Sequence, residues 1–246
     1  MELLKNVLDA WKLPDLRRKL LFTFAMLVLF RFIAHIPVPN IDTEALRLLF
    51  RSNEFLGMLD LFSGGAMRSL SVAAMGVYPY ITASIIMQLL VPVVPQLEEM
   101  AKEGESGRTR INQITHWLTV PLAALQAYGT GVLLSSQNPP VIRNFGLSGE
   151  QLLPTLAIVI SMTAGTILLV WLGELITENG IGNGVSIVIF GGIVAALPEF
   201  VGQSFVTGDV VGLATLGIVG AALVAAIVVV QEAQRRVPVQ YAKRVR

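Results

Sequence analysis

At 246 residues, 54% of them apolar and 14% charged, with a mean hydropathy of +0.67, the chain is too poor in polar side chains to clothe a water-soluble core of its size. The absence of cysteine excludes disulfides, thiolate metal centres and a cysteine nucleophile, and leaves the redox compartment open. A net charge of +1 hides strong segregation, because basic residues gather at Lys5 to Lys19, Lys102 to Arg110 and Arg235 to Arg246.

In chain order, residues 1–19 read as a cytosolic amphipathic segment. They do not resemble a cleaved leader, since Trp11, Pro14 and several charges precede the first apolar run and no small-residue cleavage site follows it, so the first span is expected to be retained. Runs of about 20 apolar residues predict spans at Leu20 to Ile36, Leu70 to Val94, Ile114 to Leu134, Leu152 to Leu172, Val185 to Val201 and Val210 to Val230. The expectation is an all-α polytopic membrane protein with six crossings and both ends on one side. Lysine and arginine choose the side: the N-terminal segment carries five, the 95–111 connection three and the tail five, whereas the alternate connections hold Arg47, Arg51, Arg68 and Arg143. Both ends are therefore expected in the cytosol. The connection from Gly173 to Gly184, with Glu174 and Glu178 and no basic residue, does not bear on this.

Span quality is uneven. The second apolar run contains Gly76, Tyr78, Pro79 and Tyr80, which predicts a break within it. The stretch before it, Phe55 to Ser71, is apolar enough to enter a membrane yet holds Asp60, Gly64, Gly65 and Arg68. Such a segment at membrane depth must be buried in protein or line a wet cavity. It is read as a short re-entrant helix, the alternative being a helix on the outer membrane surface. Gly180-Ile181-Gly182-Asn183-Gly184 imitates a phosphate-binding glycine loop but joins two apolar helices and follows no strand, which favours a tight interhelical turn.

No metalloprotease, serine-hydrolase or nucleotide-binding signature is present. His35 and His116 fall in separate spans without an obvious ligand partner, which favours interfacial packing over a proton relay. Arg31, inside the first span, is expected to snorkel or to pair with a neighbouring helix. Without a nucleotide motif, any transport must draw its energy from a partner, a gradient or the delivery of the substrate. That narrows the function to a conduit.

Several ordered stretches carry a family likeness: Ser63-Gly64-Gly65-Ala66, the run from Pro79 to Leu90 (PYITASIIMQLL), Lys102 to Arg108 (KEGESGR), and Trp171-Leu172-Gly173-Glu174 through Asn183-Gly184. In these the chain resembles the SecY family, protein-conducting channel subunits, and the likeness runs from the first span to the final residue. Members of that family have ten transmembrane helices in two pseudo-symmetric halves. The resemblance therefore implies that residues 20–201 are the first half, 202–231 the sixth helix with its preceding external loop, and 232–246 the start of a cytosolic loop. It further implies a clam-shell around an hourglass pore, closed by a ring to which Val77, Ile81 and Ile189 contribute. Aliphatic side chains suit this task, being deformable around a varied chain and too apolar to stabilise hydrated ions. Without the resemblance these three would pass for packing residues. The plug implied is about 55–71, with Phe62, Ser63, Gly64 and Gly65 nearest the ring. Thr82, Gln88 and Thr115 become candidates for a lateral gate, where hydrogen bonds of about 1 kcal/mol each could yield to a signal sequence; static helix packing is the alternative.

The resemblance implies that Arg235, Arg236, Lys243, Arg244 and Arg246 meet a ribosome or the SecA motor, since a basic loop beside a membrane attracts phosphate or acidic protein. Ordinary positive-inside anchoring is the alternative for Arg235 and Arg236. Gln231-Glu232-Ala233-Gln234 departs from the Glu-Arg-Gly-Gln order associated with the family, and the chain ends before the tip of that loop. SecE and SecG are the implied partner subunits, a bacterial plasma membrane the implied location, and no cofactor is implied. A secondary transporter, which also uses broken helices, would want an intramembrane carboxylate. None stands near the midplane of the predicted spans. A non-conducting scaffold is the third class, since six helices do not close a ten-helix pore.

Overall fold

A computed structural model describes residues 13–52, 65–208 and 210–233. The described residues are helical or irregular, with no strand beyond two isolated bridges. Residues 1–196 and 197–246 form two separate units.

In the first unit, α1 (Pro14–Ile33) opens with proline in its first turn, where a missing N–H costs nothing, and with Asp15 at its positive end. Thr23, Phe30 and Ile33 face inward, while Phe24, Val28 and Phe32 are exposed, as expected of a helix with one face to lipid. α2 (Thr43–Ser52) is started by Asp42, whose carboxylate accepts the amide N–H groups of Glu44 and Ala45, both at 3.1 Å. Residues 65–77 form successive turns. They are pinned to the segment after α1 by Val38 N–H donating to Leu70 O at 3.0 Å and Val72 N–H to Ile36 O at 2.9 Å.

The sequence-predicted break is therefore real. Of the apolar run Leu70 to Val94, only Tyr78–Leu90 is regular helix (α3), and α4 (Pro95–Lys102) leaves it at 96°. α5 (Glu105–Ser135) and α6 (Leu152–Asn179, entered through a short 3₁₀ turn at Gly149–Gln151) are the long spans. α5 turns a stripe of small residues inward, Thr115, Thr119, Ala123, Ala127 and Gly131, at four-residue spacing, so that helices approach closely where lipid supplies no hydrophobic drive between them. α6 packs against both α5 and α1, and α5 also packs against α3 and α4. One buried cluster joins Phe30 and Ile33 to Val77, Leu169, Val170 and Ile176; a second joins Val38 and Leu46 to Leu134, Ile142, Ile158 and Met162. Gly165 lets α6 touch the turn segment, since a Cβ there would strike the Val72 carbonyl.

The connection predicted from Gly173 to Gly184 is corrected. α6 continues through Glu174 and Glu178 to Asn179, and the turn is confined to the glycine-rich residues 180–183. The basic 95–111 connection is also largely helical, being α4 and the start of α5. α7 (Gly184–Thr207) has Pro198 within it and passes from the first unit into the second, which then holds α8 (Val210–Glu232), a helix exposed along almost its whole length.

Among the described residues, Glu105–Ser135, Gly149–Asn179 and Val211–Glu232 are long and apolar enough to cross a membrane. The bent α3–α4 pair passes the same test when taken as one span, and α7 contributes the shorter apolar stretch Gly184–Pro198.

Candidate pore-lining site

The site forms where the turn segment becomes helix. Val77 is the residue before α3, and Ile81 N–H donates to its carbonyl at 3.1 Å, so the two side chains sit four residues apart on one helical face. Ile189 comes from the second turn of α7. That helix is set by Thr177, whose hydroxyl accepts Gly184 N–H at 2.8 Å, and by Asn183, whose side-chain oxygen accepts Ser186 N–H at 3.1 Å. All three line one concavity of about 650 Å³, shared with Met67, Met75, Tyr78, Gln126 and Thr130. Val77 is 5% exposed, and Ile81 and Ile189 pack partly buried against the same cluster as Leu169 and Val170. No carboxylate, imidazole or cation lines this space among the described residues.

Gln126 and Thr130, one turn apart on α5, escaped sequence reasoning. The signal was an amide set in an otherwise apolar stretch of span.

Of the plug residues, Gly65 is described: it has φ +82°, and a Cβ on it would lie 3.6 Å from the Arg31 guanidinium. Phe62, Ser63 and Gly64 lie outside the described residues, as do Arg235, Arg236, Lys243, Arg244 and Arg246. The gate candidates separate. Thr82 donates to Tyr78 O at 3.1 Å, Gln88 to Ser84 Oγ at 3.3 Å and Thr115 to Ile111 O at 2.9 Å, each within its own helix. Gln88 and Thr115 share a second, more polar concavity between α3 and α5 with Asn112 and Glu178; Thr82 does not line it.

Both histidines have neighbours that the sequence did not reveal. His35 Nδ1 lies 2.7 Å from Arg31 O, and His116 Nε2 lies 2.7 Å from Glu174 Oε1. Arg143 Nη2 meets Asp42 Oδ2 at 2.6 Å. The Asp42 carboxyl is held below its usual range by the Ala45 amide first, then by the hydrogen bond from Arg143.

A broken helix, aliphatic side chains converging on an apolar concavity, and several spans around it define a multi-pass membrane protein of the α-helical class. The SecY family profile matches residues 71–246. The chain is 43% identical to the protein translocase subunit SecY of Streptomyces galbus, covering 96% of this chain and 56% of that one. It is 45% identical to the subunit of the same name from Pseudomonas aeruginosa, covering 94% and 52%. It thus spans about half the length of the curated relatives it matches. Among solved structures it resembles Sec61 in the canine ribosome-channel complex from the endoplasmic reticulum (TM-score 0.56, 21% identity, 95% of this chain and 54% of that one). It also resembles a protein-conducting channel (TM-score 0.53, 21% identity, 81% and 46%). The chain belongs to the SecY family, and is accordingly a multi-pass protein of the bacterial plasma membrane.

Proposed function

We propose that this chain supplies the first half and sixth helix of the pore subunit of a Sec protein translocase, a conduit that passes unfolded secretory polypeptides across the membrane and releases transmembrane segments sideways into lipid. The observation that carries this is the convergence of Val77, Ile81 and Ile189 on one apolar concavity at the break between turn segment and α3. Such side chains yield to a passing polypeptide while offering hydrated ions no substitute for water. In this reading residues 55–71 plug the pore, α3 and α5 form this half's side of the lateral gate around Thr82, Gln88 and Thr115, and both chain ends face the cytosol. The tail arginines and lysines meet a ribosome or the SecA motor, and SecE and SecG complete the assembly. A proton- or sodium-coupled carrier would want an ionisable group in the cavity, and the described lining offers no carboxylate.

The test is single-channel recording of the full-length protein with SecE in planar bilayers. Deleting residues 54–71, or replacing Ile81 with serine, is expected to produce bursts of ion conductance absent from the wild type. Silence in all three proteins, with small solutes crossing reconstituted vesicles, would overturn the conduit reading in favour of a carrier.

A further inference from the structure

Where α3, α5 and α6 meet, four polar side chains form a closed set of contacts that the pore lining does not use. His116 Nε2 on α5 stands 2.7 Å from Glu174 Oε1 on α6. The imidazole lies against the Tyr80 ring of α3, centroids 5.4 Å apart and planes at 44°. Tyr80 OH donates to Asn112 Oδ1 at 3.4 Å, and Asn112 Nδ2 donates to Glu174 Oε1 at 3.5 Å. His116 Nε2 is shielded from solvent and makes no aligned hydrogen bond, and the Glu174 carboxylate is the polar group it faces. Tyr80 is next in chain to Ile81, and Val77 lies one turn before Ile81 on the lining face.

We infer that His116 and Glu174 are positioning residues: their contact, acting through Tyr80, latches the pore-lining helix α3 against α6. The inference rests on the channel reading above. Removing the Glu174 carboxylate leaves the shielded imidazole nitrogen without the polar group it faces, and the contact that ties α5 and Tyr80 to α6 is lost. Other charged groups on the surrounding helices do not substitute for the pair. Glu178 stands one turn beyond Glu174, and Glu105 and Arg108 lie two or three turns before His116; all three line the adjoining concavity. On the α4 side, Lys102 pairs with Glu98 at 2.6 Å, and Glu103 pairs with Arg110 at 3.6 Å.

The experiment uses the full-length protein with its partner subunits in lipid nanodiscs, with spin labels at Ile85 on α3 and Leu168 on α6, both exposed positions. The α3–α6 distance distribution is read in the nanodiscs, and the single-channel open probability in planar bilayers in the background lacking residues 54–71. Wild type is expected to give a narrow distance distribution, and the protein lacking residues 54–71 an open probability about three- to fivefold below that of the same deletion carrying Glu174→Gln. His116→Arg, which keeps a donor facing Glu174, is expected to stay narrow. Glu174→Gln and His116→Phe, the latter keeping the ring contact with Tyr80, are expected to be broad. Identical distance distributions in all four proteins would overturn the latch, whatever the conductance does. Distances that respond as expected while the protein lacking residues 54–71 never conducts would uphold the latch and overturn the channel reading.

Discussion

Gly165 offers the sharpest test of the packing described here. A Cβ at that position would lie 2.6 Å from the Val72 carbonyl carbon and 3.3 Å from Ala73 N, and would strike the Val72 carbonyl oxygen. Carbon atoms settle at about 3.5–4.0 Å, so Gly165→Ala must part α6 from the turn segment by about 1 Å. The obstacle is backbone and cannot rotate aside: Val72 N–H is fixed to Ile36 O and Ser71 N–H to Ala66 O, both at 2.9 Å. Overfilling a packed site costs about 1–3 kcal/mol, and the upper end applies where main chain must move. Alanine recovers about 1 kcal/mol in helix propensity, leaving a net loss of about 2 kcal/mol. Gly129 on α5 is the internal control, because a Cβ there meets nothing within 4 Å and only the propensity gain applies. Thermal unfolding of the full-length protein in nanodiscs, followed by tryptophan fluorescence, should place Gly165→Ala below wild type and Gly129→Ala at or above it. A Gly165→Ala protein at least as stable as wild type would refute the close approach.

Asp42 provides a pH prediction. Its carboxyl is depressed in the folded state, first by the Ala45 amide and then by Arg143, so its stabilising effect is fully present above the ordinary carboxylate range near pH 4 and is lost as pH falls through the folded value. The difference in melting temperature between wild type and Asp42→Asn should thus be constant from neutral pH to about 5 and shrink in stronger acid; a difference that grows on acidification would contradict the assignment. Thr155, 1% exposed, accepts Gly146 N–H at 3.0 Å and can donate to Gly146 O or Gln151 O at 2.9 Å. Thr155→Val strands that N–H and should cost about 1–3 kcal/mol, read as a lowered melting temperature with faster amide exchange at Gly146.

Hydropathy located the long spans because lipid contact selects apolar side chains, and α5, α6 and α8 each contain the run assigned to them. It misplaced the end of α6, because a helix does not stop where lipid contact stops: Glu174 and Glu178 stay in the i to i−4 ladder while their side chains turn to polar neighbours. The break before α3 was legible because Gly76 and Pro79 act locally on the backbone. The His116–Glu174 contact was not, since it joins residues far apart in sequence whose meeting depends on how α5 and α6 pack. Val77, Ile81 and Ile189 illustrate the middle case: their residue types say only that they are apolar, family likeness singled them out, and their shared concavity could be seen only once α3 and α7 were placed.

The shortness of α3 has an electrical consequence. Its 13 residues amount to about 20 Å of helix, bounded by turns at one end and by the 96° bend at the other, against a hydrocarbon layer of about 30 Å. In the proposed channel, with water reaching both ends of α3, the insulating septum would be thinner than the bilayer around it, and a membrane voltage, which drops only across insulating material, would be compressed into it. Each elementary charge moved through the full voltage gains or loses about 2.3 kcal/mol per 100 mV. A charged side chain on a threading polypeptide would receive that change over a few residues of travel, as an abrupt pull for one sign and an abrupt barrier for the other.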